Sequence, residues 1–251
     1  MLFNSYLFIF AYLPLTVLLH QILIRFGTGR LAAGFLAAAS ILFYGYWEWR
    51  FVPILAVSIV ANYLLARAIA AVPRRTPRRL VAGCGIALNL AALGYFKYAN
   101  FFLANWNDAF DTDFVVRVAL PLGISFFTFQ QIAYLADAAR ETADANAGRD
   151  ASRDAGRDAG RGRGGADRDF VRYALFVSFF PQLIAGPIVH HGEMMPQFAR
   201  SKPSAWRRNL AVGSTIFILG LAKKVLLADN LAPLASPVFD AAAAGGAGSM
   251  A

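Results

Sequence analysis

The side chains best suited to chemistry are gathered between Phe179 and Glu193, in the run Phe-Phe-Pro-Gln-Leu-Ile-Ala-Gly-Pro-Ile-Val-His-His-Gly-Glu. Gln182 places an amide inside an apolar stretch, Pro181, Gly186 and Pro187 interrupt the backbone, and His190, His191 and Glu193 follow. Such a break at membrane depth persists only where protein or a water-filled cavity satisfies the freed polar groups. The two histidines and Glu193 are three candidate metal ligands by type. Adjacent histidines point in different directions, however, and no further cluster accompanies them, so no metal site is expected. Two readings stay open: the histidines cap the rim of the broken segment, or one positions a polar substrate at a cavity mouth. Lys223 and Lys224 form a second group, set inside the apolar block Leu210–Ala228 and followed by Asp229. A lysine at the bilayer centre costs about 2.5–3.5 kcal/mol. Either the pair faces a hydrated cavity or the helix does not cross squarely; one lysine could reach an interface, and Asp229 could pair with one of them.

These residues need elements to position them. Hydrophobic residues make up 58% of 251 positions and mean hydropathy is +0.49, which excludes an ordinary soluble domain. Five apolar blocks, Tyr6–Ile24, Leu31–Tyr46, Phe51–Val72, Leu80–Phe96 and Val118–Ala136, approach the roughly 20 residues that cross a bilayer as helix. Phe170–Val189 and Leu210–Ala228 are two irregular blocks beyond them. The expected fold is all-α: a polytopic membrane helix bundle of about six spanning helices plus a re-entrant segment. No Lys or Arg precedes Arg25, so the first block lacks the charged start of a cleavable signal peptide. Cys84 is a single cysteine and can form no intrachain disulfide. The net charge of +9 sits at block ends, which suits lipid head groups and topology and not nucleic acid. Metalloprotease, P-loop and nucleophile-elbow motifs are absent from the chain.

Charge sets the expected orientation. Arg67, Arg74, Arg75, Arg78 and Arg79 mark the link after the third block as cytoplasmic. Counting back places the N-terminus outside; counting forward places the Asp108–Asp113 loop outside and Arg140–Arg168 inside. A full crossing by Phe170–Val189 would put Arg200, Lys202, Arg207 and Arg208 outside, against the rule. A re-entrant segment keeps them inside, and its prolines and Gly186 supply the break.

Between Arg140 and Asp169 the composition changes, with Arg153-Asp-Ala-Gly156 repeated as Arg157-Asp-Ala-Gly160. Charges at helical spacing favour a helix there. Recurrent glycine and the lack of apolar residues favour disorder, which is the expectation. The expected organisation is thus helices over 1–139, a disordered insert over 140–169, the re-entrant segment and a further helix over 170–229, and an irregular tail over 230–251. Asn89 is expected to hydrogen-bond between helices. Gln130 and Gln131 either do the same or line a cavity. Tyr44–Trp49 and Tyr95–Phe102 fit interfacial aromatic belts.

Leu120-Pro-Leu-Gly-Ile-Ser-Phe-Phe-Thr-Phe-Gln-Gln-Ile-Ala-Tyr-Leu135 and Phe176-Val-Ser-Phe-Phe-Pro-Gln-Leu-Ile-Ala-Gly-Pro-Ile188 closely resemble the membrane-bound O-acyltransferase family. Met1–Tyr6, Phe43–Trp47, Gly94–Asn100 and Lys223–Asn230 add to the likeness, which is greatest for the alginate O-acetyltransferase-like branch. The resemblance implies a bundle around a cavity joining both faces of a bacterial inner membrane. It implies an acyl donor on the cytoplasmic side (acetyl-CoA or another activated acetyl carrier), with no bound cofactor. It also implies an acceptor outside, either an exported alginate-like polysaccharide or a periplasmic acetyl-transfer partner protein. The family's catalytic histidine belongs to a later helix and is expected beyond Ala251, so the chain resembles an N-terminal portion that is inactive alone. Gln182, Pro187, His190, His191, Glu193, Lys223 and Lys224 are then cavity or substrate-path candidates. The alternatives are a non-catalytic scaffold subunit and a small transporter, the latter disfavoured because the spans show no internal repeat.

Overall fold

The structure, a computed structural model, describes residues 3–72, 75–114, 118–155, 169–183, 186, 191–199 and 206–247. Among these residues every regular element is helical. Four stretches are long and apolar enough to cross a membrane: Phe8–Phe26, Gly29–Ala71, Thr76–Phe110 and Trp206–Ala242.

A π-helical turn at Phe8–Tyr12 runs into α1 (Leu13–Phe26). Thr28 caps α2 (Gly29–Glu48) by accepting from Leu31 N–H at 3.3 Å. A 3₁₀ turn at Trp49–Phe51 leads to α3 (Val52–Ala71), which has Pro53 in its first turn, where no intrahelical donor is needed. Helix α4 (Arg75–Phe110) is far longer than its apolar block; at 36 residues it spans about 54 Å. Its far end is closed by asparagines. Asn107 accepts from Phe114 N–H at 3.1 Å and Asn100 from Val118 N–H at 3.0 Å, folding the chain back along the helix. Asp111 takes positive φ at this turn, as Asp tolerates.

Helix α5 (Ile124–Ala155) begins six residues later than the apolar block predicts. Gly123 at φ 72° makes the turn, and its carbonyl accepts from Phe126 and Phe127. Tyr44, expected at the membrane interface, is instead buried and donates to Leu122 O at 3.0 Å, tying this turn to α2. Tyr46, Trp47 and Trp49 are exposed, as an aromatic belt requires.

Two expectations of irregular structure meet helix instead. Helix α5 continues past Arg140 to Ala155, because extending an established helix costs much less than starting one and the charge spacing supports it. Residues 156–168 lie outside the described set. At the other end, α9 (Trp206–Ala222) passes through a π turn, Lys223–Ala228, into α10 (Asp229–Ala247), so the expected tail is helical to Ala247. The helix runs through Pro233 and Pro237 into an alanine run, the residue of highest helix propensity. Between these parts lie α6 (Phe170–Ser178), the four-residue α7 (Phe180–Leu183) and α8 (His191–Ala199).

The core lies where α2, α3, α4, α5 and α6 pack, around Leu55, Ile59, Ala66, Ile69, Leu135 and Phe176. Small residues permit close approach there: a Cβ on Gly85 would sit 3.1 Å from Leu135 Cδ1 and 3.3 Å from Leu65 Cδ1.

Candidate active site

Helix α6 is nine residues long, about 13 Å, and cannot cross a membrane. Its start is fixed by Asp169, which accepts from Val171 N–H at 3.0 Å and gathers Arg30 at 3.5 Å and Arg172 at 3.8 Å. At Phe179 the backbone leaves the helical region, with φ −52° and ψ 107°. That frees the N–H of Phe180, which donates to Ser40 Oγ on α2 at 3.2 Å. Ser40 is fully buried and donates in turn to Leu36 O at 2.7 Å. One serine thus satisfies the donor exposed by the break. Ser40→Ala should lower stability by about 1–2 kcal/mol, the cost of a buried orphan donor, measured as a shift of the unfolding midpoint in mixed micelles.

Beyond the break, Phe179 O accepts from both Gln182 and Leu183, and Gln182 O accepts from Gly186 N–H at 3.0 Å. The backbones meet so closely at Gly186 that a Cβ would lie 2.5 Å from Gln182 Cα. Phe180 is seated against Phe8, Tyr12 and Phe43, with ring centroids 5.3–6.1 Å apart. Gln182 is buried as well.

The chain then returns to where it started. Tyr173 on α6 and His191 at the head of α8 both meet the same side chain, Tyr134 of α5, at centroid distances of 4.5 and 5.4 Å. His191 Nδ1 also lies 3.1 Å from Asp137 Oδ2, both side chains being largely buried. The pair falls within ion-pair distance without meeting hydrogen-bond geometry. A carboxylate packed against an imidazole restricts the orientation of the ring.

Deeper between α3, α4 and α5 is a polar knot. Asn62 Nδ2 donates to Ser58 O at 3.0 Å, to Asn89 Oδ1 at 3.1 Å and to Gln131 Oε1 at 2.9 Å. Asn89 Nδ2 donates back to Asn62 Oδ1 at 2.7 Å and to Gly85 O at 2.8 Å, while Ser58 Oγ donates to Gln131 Oε1 at 2.7 Å. Asn89 therefore links helices as expected, and Gln131 joins it. Gln130 is buried apart from this knot.

Of the remaining candidates, Glu193 is exposed on α8, where its carbonyl accepts from Gln197, and it does not join His191 and Asp137. Lys224 meets Asp229 across the π turn, whose spacing brings residues five apart together. The helix that carries Lys223 and Lys224 is exposed along its length; Phe217 packs on the Phe8–Phe43–Phe180 cluster. Among the described contacts neither lysine reaches Gln182 or His191. Pro187 and His190 lie outside the described residues. Among the described residues no three His, Cys, Asp or Glu side chains converge as metal ligands.

Sequence reasoning missed Asp137, Tyr134, Tyr173, Ser40 and Asn62. For Asp137 and Tyr134 a signal existed: they repeat the face of Gln130 and Gln131 at helical spacing, in an otherwise apolar segment. Tyr173 and Ser40 carried none, because a tyrosine or serine in an apolar helix is ordinary.

The profile of the membrane-bound O-acyltransferase family matches residues 86–244. Among curated proteins, the peptidoglycan O-acetyltransferase of Helicobacter pylori is 43% identical over 96% of this chain and 47% of its own length. A probable alginate O-acetylase from Azotobacter vinelandii is 34% identical over 95% of the chain and 44% of its length, and that of Pseudomonas aeruginosa is 33% identical over 95% and 42%. The chain spans about half the length of the curated relatives it matches. No solved structure matches it. The matched region holds Asn89, the α5 glutamines, the broken α6–α7 segment and the lysine pair, and the chain belongs to the membrane-bound O-acyltransferase family.

Proposed function

We propose that this chain contributes to the transfer of an acetyl group from an activated carrier to a hydroxyl of a cell-envelope glycan. The likeness to O-acetyltransferases over nearly the whole chain is the observation that carries this reading. The relative acting on peptidoglycan shares 43% of aligned residues and the alginate relative 34%, which favours a peptidoglycan hydroxyl over the alginate-like acceptor suggested by the motifs. In such a transfer the hydroxyl oxygen attacks the acetyl carbonyl, its proton passes to a base, and the carrier leaves. The broken segment is read as re-entrant from the cytoplasmic side, supported by the return of both its ends to Tyr134. On this reading Gln182 and the turn at Gly186 sit at depth, and His191 sits near the mouth.

His191, oriented by Asp137, is then a positioning residue for the donor and not the base. His191→Ala should raise the donor KM about tenfold, the equivalent of one lost polar contact, and leave kcat within about twofold. Asp137→Asn should do the same to a smaller degree. A fall in kcat at unchanged KM would contradict the positioning role.

The function itself is tested by expressing the chain in cells lacking their own glycan O-acetyltransferase and releasing ester-linked acetate with mild base. Acetate on peptidoglycan above the vector control is expected when the chain is co-expressed with the C-terminal half of a family relative, which supplies the base. Acetate on neither peptidoglycan nor alginate, with the protein present in the membrane, would overturn the proposal.

A further inference from the structure

Among the described residues Arg78 is a large, fully buried side chain, at 2% exposure. It opens the inner stripe of α4, continued by Ala82, Gly85, Asn89 and Leu93, which faces α3 and α5. Its Nη1 is shut off from solvent and meets no acceptor. Among the described residues no carboxylate comes within ion-pair distance of it. Among the acids whose side chains the structure describes, Asp169 holds Arg30 and Arg172, and Asp137 faces His191. The nearby arginines Arg67, Arg79 and Arg140 are exposed and add only positive charge.

A guanidinium cannot shed its proton, so it cannot escape burial as a lysine does. An uncompensated buried charge is strongly destabilising, and a charge of this kind is retained where something neutralises it. Arg78 also stands in the first turn of a 36-residue helix, where unpaired N–H groups and the helix dipole favour an anion. Two independent features, the helix start and the buried guanidinium of the same turn, therefore both favour negative charge.

We propose that Arg78 and the first turn of α4 form a binding site for a phosphate group. The planar guanidinium matches two phosphate oxygens at once, and a helix N-terminus supplies further donors. Phosphate at this arginine-rich end has two sources, the head group of a phospholipid and a soluble phosphate ester. The site stands independently of the acetyl-transfer reading.

The test uses the full chain purified in a maltoside detergent, which carries no phosphate. Thermal unfolding is followed at constant ionic strength with inorganic phosphate in one arm and short-chain phosphatidylglycerol in the other. The wild type should gain roughly 5 °C or more in one arm, which identifies the source. Arg78→Met should gain less than half as much, and in bare detergent it should be at least as stable as the wild type, having lost the unneutralised charge. Arg78→Lys, which keeps the charge without the fork, should bind the same phosphate source about tenfold more weakly. Equal shifts in wild type and Arg78→Met, or no shift of the wild type in either arm, would overturn the site. If Arg78→Met fails to fold, undiminished phosphate affinity in Arg78→Lys overturns it.

Discussion

Gly186→Ala should destabilise the protein by about 3 kcal/mol and abolish whatever transfer the broken segment supports. The added Cβ would lie 2.5 Å from Gln182 Cα, 2.8 Å from its Cγ and 2.9 Å from its carbonyl oxygen. Side-chain ends can swing away from an intruding methyl, but here the nearest atom is backbone. Relief requires the turn to open, which breaks the Gly186 N–H to Gln182 O bond and lifts Phe180 and Gln182 from their packing. Overpacking of this kind costs 1–3 kcal/mol, and the lost hydrogen bond puts this case at the upper end. Folded yield by fluorescence-detected size exclusion and glycan acetate content are the two measurements. Wild-type values of both would mean that the backbones do not approach as described.

Asn62→Leu should cost about 2 kcal/mol. The change keeps the branched heavy-atom shape at a larger volume, leaves Asn89 Oδ1 without its donor and takes one donor from Gln131 Oε1, all among buried side chains. Within membranes such bonds contribute less on average than the interior polarity suggests, which holds the figure near 2 and not higher. The informative variant is the double one. With Asn62→Leu and Asn89→Leu together, few amides are left stranded and the two methyl-rich side chains can pack. The pair should therefore cost less than the sum of the singles by about 1–2 kcal/mol, measured as a double-mutant cycle from unfolding midpoints in mixed micelles. Strict additivity would show that the two amides do not interact.

Both predictions rest on contacts that the sequence hints at unevenly. Pro181, Gly186 and Pro187 mark the break plainly, since no straight apolar helix accommodates them. Gly186 could be read as a residue that permits a turn, but not as one pressed against Gln182, because that closeness depends on the path of the chain after Leu183. Asn89 was legible as a polar group needing an interhelical partner; its partners on α3 and α5 were not. The lysine pair was legible as a charge problem, and Asp229 as one solution. The π turn that brings Lys224 to Asp229 has no sequence mark, since one inserted residue per turn leaves composition unchanged.

Composition and the length of the apolar blocks were sufficient to establish an all-helical membrane protein, because backbone groups in lipid must be satisfied within the segment and helix does this locally. The order of several long motifs was sufficient for the family. These are properties of contiguous residues, so the sequence alone determines them. The meeting of Asp137 with His191, the return of α6 and α8 to Tyr134, the service of Ser40 to Phe180 and the burial of Arg78 join residues up to 140 positions apart. Only the tertiary structure decides such pairings, because they follow from which helix faces pack together, and nothing local to any of these residues encodes its neighbour.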